Sequence, residues 1–86
     1  MAGYELLIKP SALKELESVD SRRVRRSLVV DIRSLADNPR PSGSRKLAGG
    51  DRYRLRRGAY RVVYSVDDAS RTVVVFKIGH WRDVCR

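Results

Sequence analysis

The chain has one cysteine, Cys85, so no intramolecular disulfide can staple it, and one histidine, His80, so it cannot assemble a His/Cys zinc site. Neither a metal nor a cofactor is expected. Apolar runs are short: none approaches the roughly 20 residues that span a bilayer. The N-terminal MAGYELLIK lacks the charged start and apolar core of a secretory signal. These absences point to a cytoplasmic protein with no membrane partner. Acidic side chains are also scarce, with 10 Asp+Glu against 19 Lys+Arg, a formal charge of +9.

That surplus is unevenly distributed. Residues 1–43 carry 8 basic and 6 acidic side chains, whereas residues 44–86 carry 11 and 4. The basic character therefore belongs to the C-terminal half. Arginine outnumbers lysine 15 to 4, which favours bidentate contacts to phosphate over diffuse attraction. Nucleic acid is the leading partner class, ahead of an acidic protein or an anionic membrane surface. At 86 residues the chain is expected to form one domain, 1–86, with a single modest core.

The segment Asp51 to Ile78, DRYRLRRGAYRVVYSVDDASRTVVVFKI, reads as a three-stranded meander because its apolar residues alternate with a period of two. A tight turn centred on Arg57-Gly58 would set Arg54 opposite Arg61 and Leu55 opposite Tyr60. Tyr53, Leu55, Tyr60, Val62, Tyr64 and Val66 then share a core face, and Arg54, Arg56 and Arg61 share the other. The turn formers at 67–71 fold the chain back, with Val74, Phe76 and Ile78 expected on the core face. Val73, Val75 and Lys77 are expected beside the arginines, where Val63, Val73 and Val75 would make an apolar patch suited to a partner segment.

Upstream, Tyr4 to Lys9 has strand composition and ends at Pro10, which cannot donate to a ladder. Ser11 is a candidate N-cap for a helix over 12–19. Asp20 or Ser21 would cap a second helix whose Val24, Leu28, Ile32 and Leu35 recur at helical spacing. The arginine run in that helix is read as a solvated face. Asn38-Pro39 closes the helix, and 39–52, with two prolines, three glycines and two serines, reads as a connection. Arg45 and Lys46 within it would line the rim of the basic face. The expected fold is α+β, in the order β-α-α-β-β-β, with two N-terminal helices packed on one face of a mainly antiparallel four-stranded sheet.

Taken together, KPSALKELESV after the first strand, then RKLAGGDRYRLRRGAYRVVYSVDD, then the closing VVVFKIGHWRDVCR resemble the RelE/ParE toxin superfamily of bacterial toxin–antitoxin modules, the RelE branch in particular. The resemblance runs over essentially the whole chain. It implies a type II toxin that cuts mRNA in the ribosomal A site and inhibits translation, held in check by a cognate antitoxin in a hetero-oligomer. The ribosome and mRNA are then its targets. It also implies that Arg54, Arg56, Arg61 and Arg82 stand at active-site positions.

Two positions depart from the pattern. Cys85 stands where many relatives have a tyrosine, and Trp81 where an arginine is common. On this reading the catalytic set is Arg54, Arg56, Arg61, Arg82, His80 as a general acid or base, and Cys85. Arg45, Lys46, Lys77 and Trp81 bind RNA, with Trp81 offering a stacking surface. The competing readings are a ParE-like inhibitor of DNA gyrase that cleaves nothing, and a plain RNA-binding module.

Overall fold

A computed structural model describes residues 3–84. Strand β1 (Glu5–Ile8) leads into helices α1 (Pro10–Glu17) and α2 (Arg22–Ser34). Strands β2 (Ser44–Lys46), β3 (Arg52–Arg57), β4 (Tyr60–Asp67) and β5 (Thr72–His80) follow, and a single helical turn, α3 (Trp81–Val84), ends the described chain. The sheet order is β1-β5-β4-β3-β2, antiparallel except that β1 runs parallel to β5. The α+β class and the mainly antiparallel sheet are as expected, but the strands number five. The additional one is β2, which lies within the segment read as a connection. Three residues flanked by glycines and a proline carry too little alternation to announce a strand.

Each helix start has a local cause. Pro10 occupies the first turn of α1, where its missing N–H is no loss, and Lys9 at the N-cap makes no side-chain cap, so Ser11 has no capping role. Ser21 does cap α2, its hydroxyl accepting the Val24 amide at 3.2 Å. Helix α2 ends at Ser34, several residues before Pro39. Ala12, Leu16 and Val19 from the α1 segment meet Leu28, Ile32 and Leu35 from α2 on one face of the sheet. There they bury Leu55, Val62, Tyr64, Val66, Val73, Val75 and Ile78.

The strand register corrects two expectations. The β3–β4 turn is centred on Gly58-Ala59, with Gly58 at φ +60°, so Arg57 faces Tyr60, Arg56 faces Arg61 and Arg54 faces Val63. This is a slip of two residues from the expected pairing. Because side chains alternate with period two, both the core row and the arginine row keep their faces.

The β4–β5 ladder holds a larger surprise. Tyr64 pairs with Val75 but Val63 with Lys77, so Phe76 is an extra residue in a β-bulge. The bulge reverses the alternation along β5. Val73 and Val75 are fully buried with Ile78, whereas Val74 and Phe76 are only partly buried. The expected patch of Val63, Val73 and Val75 therefore does not exist.

Two contacts tie the layers together. The Tyr64 hydroxyl donates to the Pro39 carbonyl at 2.7 Å, anchoring the segment after α2. Where β1 has ended, Glu15 of α1 takes its place beside β5: its carboxylate accepts the Ile78 amide at 2.9 Å and Lys77 Nζ at 3.2 Å. An edge amide that would lack a strand partner is thus satisfied by a helix side chain.

Candidate nucleic-acid interface

The sheet surface turned away from the helices is built from two cross-strand rows. One runs Arg45, Arg54, Val63, Lys77 across β2 to β5, and the next runs Arg56, Arg61, Gly79 across β3 to β5. Arg45 is directly opposite Arg54, and Arg56 directly opposite Arg61. Like charges in such positions oppose sheet formation by tenths of a kcal/mol each, roughly. The arrangement stands because the other face of the same strands supplies the core.

Arg61 is the most buried cation of the two rows. Only 8 % of it is exposed, and one guanidinium nitrogen, Nη1, donates to the Tyr60 carbonyl at 3.4 Å. Its Nε is buried without a hydrogen-bond partner. A cation desolvated to this degree with a donor unused is costly in isolation. It is also oriented in advance for an anion. Gly79 opposite it contributes no side chain of its own.

Three carboxylates of the described residues hold ion pairs. Asp31 binds Arg57 on the helix side at 2.6 Å, Asp68 binds Arg40 at 2.8 Å, and Glu15 binds Lys77 at 3.2 Å. Hydrogen bonds from Arg40 and Tyr4 hold the Asp68 carboxyl below the usual carboxylate range. Burial pushes the Tyr64 phenol up. Neither group is part of the arginine rows. Among the described residues no group of three His, Cys, Asp or Glu side chains could hold a metal ion, and no helix is long and apolar enough to cross a membrane.

At the end of β5 the chain turns sharply. The Trp81 amide donates to the Ala59 carbonyl at 2.8 Å, pinning the start of α3 against the β3–β4 turn. His80 pairs with Tyr60, whose ring it meets edge-on at 5.8 Å, and lies 5.9 Å from the Trp81 ring. Its Nδ1 accepts the Arg82 amide at 3.3 Å, which leaves Nε2 as the position for the ring proton. Arg82 sits 5.8 Å over the Trp81 ring, and Trp81 is 46 % exposed.

The site residues expected from the sequence therefore divide. Arg45, Arg54, Arg56 and Arg61 come together in adjacent rows, and Lys77 joins them by register while its ammonium leans to Glu15. Lys46 pairs with Tyr53, so the alternation puts it in the helix-side row, away from the arginines. His80 shares its parity with Ile78 and Tyr60 and lines a cleft with Glu15, Ser18 and Val19. Its side chain thus falls on the helix side of the sheet end, off the arginine rows. Cys85 lies outside the described residues.

Three residues escaped the sequence reading. Arg52, Lys9 and Phe76 extend the basic surface beyond Arg54, with the Arg52 guanidinium 4.0 Å over the Phe76 ring and Lys9 Nζ at 4.9 Å. Arg52 has the same parity as Arg54 and Arg56 and was legible. Phe76 was not, because the bulge that exposes it leaves no mark in a run of valines.

Comparison with known proteins places these features among toxins. Residues 6–84 match the family described as the ParE toxin of the type II toxin–antitoxin system parDE. The chain is 43 % identical over 42 residues to toxin RelG of Mycobacterium tuberculosis, a match covering 49 % of this chain and 46 % of that relative, so it spans about half the length of the curated protein. Among solved structures, the RelE–RelB complex of Pyrococcus horikoshii is similar with a TM-score of 0.81 and 29 % identity, over 90 % of this chain and 93 % of that one. The isolated Escherichia coli RelE toxin is similar with a TM-score of 0.78 and 28 % identity, over 91 % and 84 %.

Proposed function

The chain belongs to the ParE toxin family of type II toxin–antitoxin systems, and from this premise we propose that it acts as a RelE-like endoribonuclease that cuts mRNA in the ribosomal A site. The observation that carries the reading is Arg61, nearly buried, with an unused Nε donor, directly opposite Arg56 and in the row next to that of Arg54. A gyrase-binding surface has no need of such a group. Similar solved structures are RelE toxins, alone or with RelB, which supports the same branch.

The chemistry suits the residues. Attack of a ribose 2′-OH on the adjacent phosphate builds negative charge on the phosphoryl oxygens, and the 2′-O–P bond forms as the P–O5′ bond breaks. Arg61, with Arg54 and Arg56 beside it, is set to meet that charge. One well-aimed donor of this kind contributes about 3–4 kcal/mol. Arginines are poor proton carriers. His80, with Nδ1 accepting a hydrogen bond, offers Nε2–H only as a hydrogen-bond donor. To act as general acid it must first take a proton at Nδ1, releasing the Arg82 amide, and then give its Nε2 proton to the departing 5′-oxygen while the 2′ proton passes to solvent water. Orientation of the mRNA for in-line attack falls to the ribosome. Trp81, 46 % exposed where β5 gives way to α3, offers a stacking surface for a base.

The antitoxin partner needs a different seat from the expected valine patch, because Val73 and Val75 are core. An apolar groove between α1, α2 and β1, lined by Leu6, Ile8, Leu13, Leu16, Val29 and Ile32, is available on the helix side. Leu13 is 44 % exposed and Val30 64 % exposed, and Arg25, Arg26 and Arg33 rim the grooves there. Apolar anchors inside a cationic rim fit an acidic amphipathic helix.

The ParE description of the matched family keeps gyrase inhibition as a second reading, so the test has two arms. Purified protein is added to ribosomes translating a defined mRNA and, separately, to gyrase relaxing or supercoiling plasmid. Cleavage at in-frame positions on the ribosome, with supercoiling unaffected, is the expected result. Intact mRNA together with arrested supercoiling would move the chain to the ParE branch.

A further inference from the structure

Phe76 is the residue that the β5 bulge leaves without a partner on β4, and its ring has both the Arg52 guanidinium and the Lys9 ammonium over it. A groove of about 500 Å³ opens at this point, lined by Lys9, Leu47, Arg52, Val63, Phe76 and Lys77. It is continuous with the arginine rows. Val63 and Lys77 belong to the same cross-strand row as Arg54, and Arg52, Arg54 and Arg56 follow one another along β3 in steps of about 6.8 Å.

We propose that this groove is a second nucleotide subsite, taking the RNA residue that flanks the one held at Arg54 and Arg61. The inference rests on the reading of this face as an RNA surface. Three features select a nucleotide over other ligands. The Arg52 guanidinium is stacked on Phe76, which fixes its plane and leaves its edge donors pointing outward for a phosphate. Lys9, 4.9 Å from the ring centroid, supplies a second, movable cation. Val63 and Leu47 then offer an apolar surface of the kind against which a base settles. No acid is among the described residues that line the groove, and Glu15, which binds Lys77, is already engaged with that ammonium and the Ile78 amide.

The bulge gains a purpose on this view. Regular pairing would alternate Phe76 with Val75 and Lys77, whereas the extra residue lets Val75 face the core and both Phe76 and Lys77 line the groove. The cation–π pairs keep Arg52 in place before any ligand arrives, so little rotamer freedom is lost on binding.

The test is equilibrium binding of labelled RNA oligonucleotides of about two to eight residues, made non-cleavable by 2′-deoxy substitution and followed by fluorescence anisotropy across a salt series. The parent chain, Arg52→Ala, Lys9→Gln, Phe76→Leu and Arg61→Ala are compared after circular dichroism shows each to be folded. The parent is expected to gain affinity as the oligonucleotide lengthens past the central phosphate. Arg52→Ala and Phe76→Leu should lose several-fold of that gain while dinucleotide affinity stays at the parental value. Arg52→Ala should also lower the slope of log K against log salt by about 0.7, one phosphate contact. Arg61→Ala should weaken binding at every length.

Retention of the full length-dependent gain by Arg52→Ala and Phe76→Leu would overturn the subsite. So would an equal loss at all lengths, or a loss confined to binding of an acidic peptide. If the parent bound none of the oligonucleotides, the subsite and the RNA reading of the face would both fall. A parental length gain in the variants alongside intact ribosome-dependent cleavage would remove the subsite alone.

Discussion

On the helix side of the sheet, Leu55, Val62, Tyr64, Val66, Val73, Val75 and Ile78 are all buried, the Tyr64 hydroxyl finds a carbonyl, and Arg57 finds Asp31. On the other side, arginines face arginines across two rows and the most buried of them leaves a donor unused. Among the described residues, the same strands therefore carry one surface whose buried polar groups are answered and one on which a buried guanidinium leaves its Nε unpaired beside other cations. Local conflict of the second kind marks sites where stability has been given up for binding. The comparison also predicts how each face should respond when it is damaged.

The largest effect on folding is expected from the helix side. Leu28 is fully buried between α2 and the sheet, and Leu28→Ala should lower unfolding free energy by about 2–5 kcal/mol, read from urea denaturation. In so small a domain that is enough to leave much of the chain unfolded at 37 °C. A loss under 1 kcal/mol, roughly, would mean that the core is looser than the burial implies.

Arg61→Ala should do the opposite. Removing it costs one aimed donor, so ribosome-dependent cleavage should fall by about 10²–10³-fold, while the melting temperature holds or rises because a desolvated cation has gone. Arg61→Lys keeps the charge without the planar fork and should restore only part of the rate. A variant that unfolds as readily as Leu28→Ala would show that Arg61 supports the fold, and the contrast between the faces would fail. Next in size, Leu13→Asp and Val30→Asp should each weaken an acidic antitoxin helix by about tenfold or more in titration calorimetry, as for anchor residues elsewhere, with cleavage untouched. Unchanged affinity would move the antitoxin off the helix-side groove.

How much of this was legible depends on the face. The core row of β3 and β4 could be read because tyrosine, leucine and valine alternate with arginine there, and the two-residue error at the Gly58 turn was harmless because it preserved parity. In β5 the run Thr72-Val73-Val74-Val75-Phe76 is β-branched or aromatic throughout, so neither face is marked and a bulge is silent. That single silent residue accounts for the misplaced valine patch and for the groove at Phe76 that went unseen. Strand β2 was missed for a related reason: only three residues pair, and their strand character comes from β3 alongside them. The arginine positions emerged from parity and from the resemblance together, whereas the burial of Arg61 needed coordinates.

The smallest expected effect concerns the exposed pairing around Asp68, which lies apart from the arginine rows. Its carboxylate accepts the Tyr4 hydroxyl at 2.6 Å and the Arg40 guanidinium at 2.8 Å, and those bonds lower its pKa in the folded chain. A carboxyl whose folded value is depressed binds protons less readily than in the unfolded chain. Its contribution is therefore complete above the unfolded value of about 3.9 and disappears as pH falls through the lower folded value. Denaturant midpoints taken from neutral pH down to about pH 2.5 should show a decline below pH 4, and Asp68→Asn should flatten it. RNA affinity over the same range should be indifferent to that substitution, since Asp68 is not among the residues that line the basic face. A substitution that changed RNA binding and left the acid limb as steep as before would mean that the two regions communicate, and the division of labour between them would have to be redrawn.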